Sequence, residues 1–265
     1  ATIDGAVFRG KTDLISVEIP DTVKWIGDYA FAGCTALTRV VMPHSVLETG
    51  TGAFEGCTAL SSVRFSERLE LLGARTFAGC TALTEVTLPN SLKTIGGSAF
   101  LGCTGFTSIT LPKNLQEIGP RAFGNCTGLT TIAIPDGVVE IEEYAFENCA
   151  NLATVTLGEK TSLMSLCRGA FTGTAIESLT LPKKVAILRD GAFSGMSKLE
   201  SLSIAGADLI GNDILEGTKV TTLDFNDTVE NFDNVKKGDY WYRNSLGNVT
   251  SVSCTNGTVT VSDAE

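Results

Sequence analysis

The chain holds little of what catalytic and nucleic-acid-binding proteins are built from. Its 265 residues include one histidine, His44. Ser–His–Asp chemistry needs a base held by a third group beside a nucleophile, and His44, just after Pro43, has no such company in the sequence. No H-E-x-x-H helix and no glycine-rich phosphate loop occurs. No C-x-x-C pair is present and no histidine accompanies the cysteines, so zinc is not expected. Lys and Arg number 20 against 30 Asp and Glu, a net charge of −10. Nucleic acid and anionic membranes want a basic surface, so neither is an expected partner. No apolar run approaches the length of a membrane-spanning helix. The chain starts at Ala1 without a methionine or a basic-then-apolar leader, so a signal segment is expected to have been removed or never present, and its absence does not point to the cytoplasm. No enzyme activity, cofactor or metal is expected.

What is present is a period. Phe8, Phe31, Phe54, Phe77, Phe100, Phe123 and Phe146 recur at one unvarying interval; Phe171, Phe193 and a degenerate Leu215 continue it with small slips. A fixed interval of this size marks a solenoid whose repeats each touch only their neighbours. Aligned on phenylalanine, the blocks approach L-x-x-V-x-L-P-x-x-L-x-x-I-G-x-x-A-F-x-G-C-T-x. Within a block Val86 and Leu88 alternate with Glu85 and Thr87, the period of two of a half-buried strand. Stacked in register, such strands form a parallel sheet about 4.8 Å apart. Proline closes the strand at Pro20, Pro43, Pro89, Pro112, Pro135 and Pro182, because it cannot donate to a ladder. The glycines at 27, 50, 73, 96 and 119 are expected to supply a backbone conformation that side chains resist. The segment that follows, such as Ser98–Leu101, is expected to be a short helical turn, with the phenylalanines stacked as an internal spine.

Six cysteines, Cys34, Cys57, Cys80, Cys103, Cys126 and Cys149, keep the same interval. Equivalent residues on adjacent coils have parallel Cβ vectors, which suit a disulfide poorly. Thr174 and Met196 fill the same slot later, so a ladder of buried free thiols acting as small fillers is expected. Cys167 differs, since it stands where glycine is expected.

The blocks A-F-x-G-C-T-x-L-x-x-V-x-L-P, as in Ala30-Phe31-Ala32-Gly33-Cys34-Thr35-Ala36-Leu37, resemble the BspA-type (Treponema pallidum type) leucine-rich repeat. The resemblance covers positions 1–225 in about ten repeats, each roughly 22–25 residues long. It implies an α/β solenoid with a parallel sheet on the concave face and short helical turns on the convex side. It also implies a cell-surface or secreted protein of the kind used in bacterial adhesion. Residues 226–265, with Tyr240-Trp241 and Val252-Ser253-Cys254-Thr255-Asn256-Gly257, resemble the segment that closes such arrays; physically, a cap covers an apolar edge. Ala1–Phe8 reads as half a repeat, so earlier repeats are expected to be missing.

On such a fold the solvent-facing strand residues are the default binding surface. Arg39, Arg64, Glu85, Thr87, Ser108, Thr110, Thr131, Thr154 and Thr156 are the candidates, a hydroxyl-lined face suited to an extracellular protein or glycan. Arg39 and Arg64, beside Glu85, are the expected hot spots, since Arg is enriched there. Threonine also simply suits a strand. Two functions fit: a binding scaffold, an adhesin acting as a monomer, or a spacer displaying another domain of a larger surface protein. The near absence of aromatics on these strands speaks against sugar stacking. Sequons stand at Asn125, Asn226, Asn248 and Asn256, with Asn125 expected in a core-facing turn.

Overall fold

A computed structural model describes residues 1–158, 160–244 and 247–261. The chain winds as a solenoid with one buried core running its whole described length. Along that core the rings of Phe8, Phe31, Phe54, Phe77, Phe100, Phe123, Phe146 and Phe171 stack with centroids 5.0–5.7 Å apart and planes within 12° of parallel. Each coil thus supplies the apolar face its neighbour needs, and no coil could bury its own ring alone.

Two ladders hold the coils together, where one was expected from the alternation. The longer is eleven short strands, all parallel, at the Thr94–Ile95 position of every coil from Thr2–Ile3 to Lys236–Lys237. The strands at the expected V-x-L position form a broken ladder. Arg39–Val41 pairs with Ser62–Arg64, Thr131–Ile134 with Thr154–Leu157, and Ser178–Thr180 leads into Ser201–Ile204, Thr222–Phe225 and Ser251–Cys254. Isolated bridges join Ser16 to Arg39, Thr87 to Thr110 and Ser108 to Thr131. Among the described residues no strand pairing links Ser62–Arg64 to the next coil, or Thr154–Leu157 to Ser178–Thr180. The first break coincides with two departures from the repeat. Phe65 stands in the leucine slot and packs edge-on against Phe77 at 5.7 Å, and Ser66 replaces the strand-ending proline.

The glycines after the long ladder serve a different purpose from the one expected. Gly96 has no positive φ; instead a Cβ there would lie 2.7–2.8 Å from Ala74 N, Gly73 C and Leu72 O of the preceding coil. Close approach of backbones, not conformation, demands glycine.

The helical turns do not form. Helix among the described residues is confined to Val229–Asn234, near the C-terminus. In the expected place each coil runs through linked β-turns. Ala99, Leu101 and Cys103 N–H groups donate three residues back, to Gly96, Ser98 and Phe100 carbonyls, while Ser98, Phe100 and Gly102 donate to Pro120, Ala122 and Gly124 of the next coil at 2.8 Å. A helix is prevented because φ turns positive twice per coil, at Ser98 (57°) and Gly102 (72°) here. Alternate amides are thereby freed to bond outward, so the turn side is itself stitched coil to coil. The parallel-sheet solenoid agrees with expectation, but the α/β description does not: among the described residues this is a parallel-strand solenoid with almost no helix.

The eight cysteines are free. The periodic six are more than fillers: each Sγ donates to the carbonyl of the preceding coil's phenylalanine, as Cys103 does to Phe77 O at 3.2 Å and Cys149 to Phe123 O at 3.1 Å. Burial pushes the Cys57 and Cys149 thiols up to about 12. Asn125, expected to face the core, is exposed in the left-handed conformation (φ 57°), and its Oδ1 accepts from Asn148 Nδ2 at 3.2 Å.

Both ladders run on past residue 225. Thr228 caps the short helix through its Oγ1, which accepts from Asn231 N–H at 3.2 Å. The helix buries Phe232 edge-on against Phe225 and Trp241. An antiparallel hairpin, Ser251–Cys254 with Gly257–Thr260, ends the second ladder. Its turn residues are Thr255 and Asn256; Gly257 already belongs to the strand. Tyr240 is not core: it is 47% exposed beneath the Arg243 guanidinium, 3.4 Å from the ring centre.

Candidate ligand-binding face

The V-x-L strands alternate buried and exposed residues, as Thr131–Ile134 shows by burying Ile132 and Ile134 and exposing Thr131 and Ala133. All nine candidate residues, Arg39, Arg64, Glu85, Thr87, Ser108, Thr110, Thr131, Thr154 and Thr156, are exposed. Register brings several into rows across the coils: Thr87 beside Thr110, and Ser108, Thr131 and Thr154 in sequence. Thr156 stands beside Ala133.

Arg39 and Arg64 are diagonal neighbours, not direct ones. Arg39 lies opposite Ser62, and Arg64 opposite Val41. Glu85 lies across the first ladder break, outside any strand. None of the three is in an ion pair among the described residues, so the expected Arg–Glu association is not made within the chain. Arg64 and Thr87 face each other across the break, where Val63, Phe65, Glu67 and Pro89 complete a cleft of about 600 Å³. The strand alternation gives no hint of that cleft; its one signal is Phe65-Ser66 in place of the usual leucine and proline.

A second departure lies on the other ladder. The glycine of Gly96 and Gly119 becomes Glu142, Cys167 and Arg189 in three consecutive coils. These side chains form a network with residues two places earlier. Cys167 Sγ donates to Glu140 Oε1 at 3.1 Å, and Arg189 Nε donates to the same oxygen at 3.0 Å and to Ser165 Oγ at 3.2 Å. Burial raises the Glu140 carboxyl, but hydrogen bonds from Cys167, Ser165 and Arg189 outweigh it and hold the group below the usual carboxylate range. Glu142 is raised, first by burial and then by Glu140 and Glu117. Burial, reinforced by the Glu140 carboxylate, pushes Cys167 up to about 12. Donor atoms of Glu140, Glu142 and Cys167 lie within 4.8 Å of one another. Of these three donors, the Glu140 carboxylate is already engaged within the chain, by Cys167 and Arg189.

The repeat geometry and its sequence define the class. The BspA-type leucine-rich repeat region matches in six copies over residues 1–130 and 116–246, and the chain belongs to this family. It is similar to a leucine-rich repeat protein of Bacteroides ovatus (23% identity, TM-score 0.73, 91% of this chain and 69% of that one). It is also similar to the T. pallidum leucine-rich repeat protein (28%, TM-score 0.52, 76% and 85%). The pneumococcal vaccine antigen PcpA is a further neighbour (21%, TM-score 0.53, 94% and 80%). No curated protein is significantly similar to the chain. No helix among the described residues is long and apolar enough to cross a membrane.

Proposed function

We propose that this chain is a surface-displayed or secreted binding scaffold, an adhesin that engages an extracellular protein through its V-x-L strand face. The observation that carries the reading is the pair Arg39 and Arg64, held diagonally on adjoining strands, exposed and without an internal counter-charge among the described residues. Around them run hydroxyl rows at Thr87 and Thr110 and at Ser108, Thr131 and Thr154, offering many weak donors and acceptors to an extended partner. Membership of a family of repeat scaffolds supports binding over catalysis. In this reading residues 226–265 are the closing segment of the array, and the chain acts as a monomer. The test is saturable binding to a panel of matrix proteins and glycans, with the R39A/R64A variant alongside. Binding lost in the variant at unchanged thermal stability supports the adhesin; no saturable ligand favours the spacer.

A further inference from the structure

The long ladder keeps one constant sequence step through its first six joins, from Ile3 to Ile26 and onward to Ile118 and Ile141. It then loses that regularity: Ile141 pairs with Leu166, Leu166 with Leu188, Leu188 with Ile210, and Ile210 with Lys237. The first of these steps is longer than the regular one, the next two are shorter, and the last is the longest of all. In the same coils the close-approach glycine gives way to Glu142, Cys167 and Arg189 before returning as Gly211 and Gly238. The C-terminal part of this irregular stretch borders a cleft of about 560 Å³ whose lining includes Arg168, Arg189, Lys236 and Lys237. Half-buried Leu209 gives it an aliphatic lining, with the Ile210 side chain fully buried beneath.

The charges in this cleft are unequally occupied. Two acids line it, Glu143 and Asp190. Asp190 is spent on Asn212, accepting from its backbone N–H at 2.7 Å and from Nδ2 at 3.2 Å. Lys237 Nζ is turned inward onto the Phe232 and Val235 carbonyls and over the Phe232 ring. Arg189 commits its Nε to Glu140 and Ser165. Arg168 and Lys236 are exposed and hold no ion pair among the described residues. A chain of net charge −10 thus carries a trough where cations outnumber anions four to two.

We infer that this cleft is a second binding site, separate from the V-x-L strand face, that takes an acidic peptide segment with carboxylates on Arg168 and Lys236. A guanidinium and an ammonium beside the aliphatic Leu209 match alternating carboxylates and methylenes, and the Arg fork donates to a carboxylate at two points. No aromatic ring among the described residues lines the cleft to stack a sugar face, which favours peptide over glycan.

The test is fluorescence anisotropy of labelled hexaglutamate with the whole chain, at low and at physiological ionic strength. The site predicts saturable binding that salt weakens, and a loss of about tenfold or more in R168E/K236E, the scale of two charge-assisted contacts. K11E/K24E, which makes the same charge change on the first coils, should bind as the unaltered chain does. Absence of saturable binding, or equal weakening in both double variants, would overturn the site. Tighter binding of a labelled oligouronate than of hexaglutamate would overturn the peptide assignment.

Discussion

Cys167 Sγ lies 3.1 Å from Glu140 Oε1, the oxygen that also accepts from Arg189 Nε at 3.0 Å, so three coils are joined through one carboxylate atom. This network closes around a thiol that sequence alone marks as exceptional. Because the carboxyl is held below the usual range, the stability it contributes is present above the ordinary carboxylate pKa and lost as pH falls through the folded value. Arg189→Ala should raise the Glu140 carboxyl in an NMR titration. It should alter unfolding free energy by less than about 1 kcal/mol, since the pair is partly solvated.

The periodic thiols give the opposite pH dependence. Their folded pKa values are raised, to about 12 at Cys57 and Cys149. The unfolded chain therefore releases its thiol protons first, near the ordinary value of about 8.5. The thiols' contribution to stability should be level below that pH and fall as pH rises from it toward the folded values. Urea midpoints measured from neutral to alkaline pH check this. Iodoacetamide should label these cysteines only when the chain is unfolded.

Removing one ring of the spine should be felt locally. Phe100 is fully buried between Phe77 and Phe123, with Phe106 edge-on at 5.5 Å. Phe100→Ala should cost about 3–5 kcal/mol. Hydrogen exchange should rise first in the adjoining coils, as nearest-neighbour coupling requires.

Two glycines of one coil should respond differently to substitution. At Gly96 a Cβ meets backbone atoms at 2.7–2.8 Å. Gly96→Ala therefore forces neighbouring coils apart, with a loss of about 1–3 kcal/mol. At Gly102 the nearest atom is 4.0 Å away and only φ (72°) matters. Gly102→Ala should cost about 1–2 kcal/mol, and Gly102→Asn much less, because Asn125 and Asn148 occupy the equivalent position at φ 57° and 56°. Thermal unfolding of the three variants distinguishes the two causes.

The spine, the proline positions and the exposed strand residues were legible because each rests on side-chain periodicity. What stayed hidden rests on backbone geometry. Tyr29, Arg75, Arg121 and Tyr144 adopt positive φ two residues before the phenylalanine, residue types that give no sign of it. That conformation is what replaces a helical turn by linked β-turns. The long ladder shows in the sequence only as the periodic I-G step, because two-residue strands show no alternation. Tyr29 also packs within the chain, under Arg9 at 5.2 Å and against the space above Gly52. For the candidate face, composition pointed to Arg39 and Arg64, while the cleft beside Arg64 depends on a pairing failure that a single sequence does not display.

Adhesion of beads coated with this chain to immobilised extracellular matrix, comparing the unaltered chain, R39A/R64A and R168E/K236E, addresses the proposed function most directly. R39A/R64A should abolish attachment, while R168E/K236E should leave most of it. Attachment unchanged in R39A/R64A, with the variant folded and equally dense on the bead, would refute the assignment of the adhesive surface to the V-x-L strands.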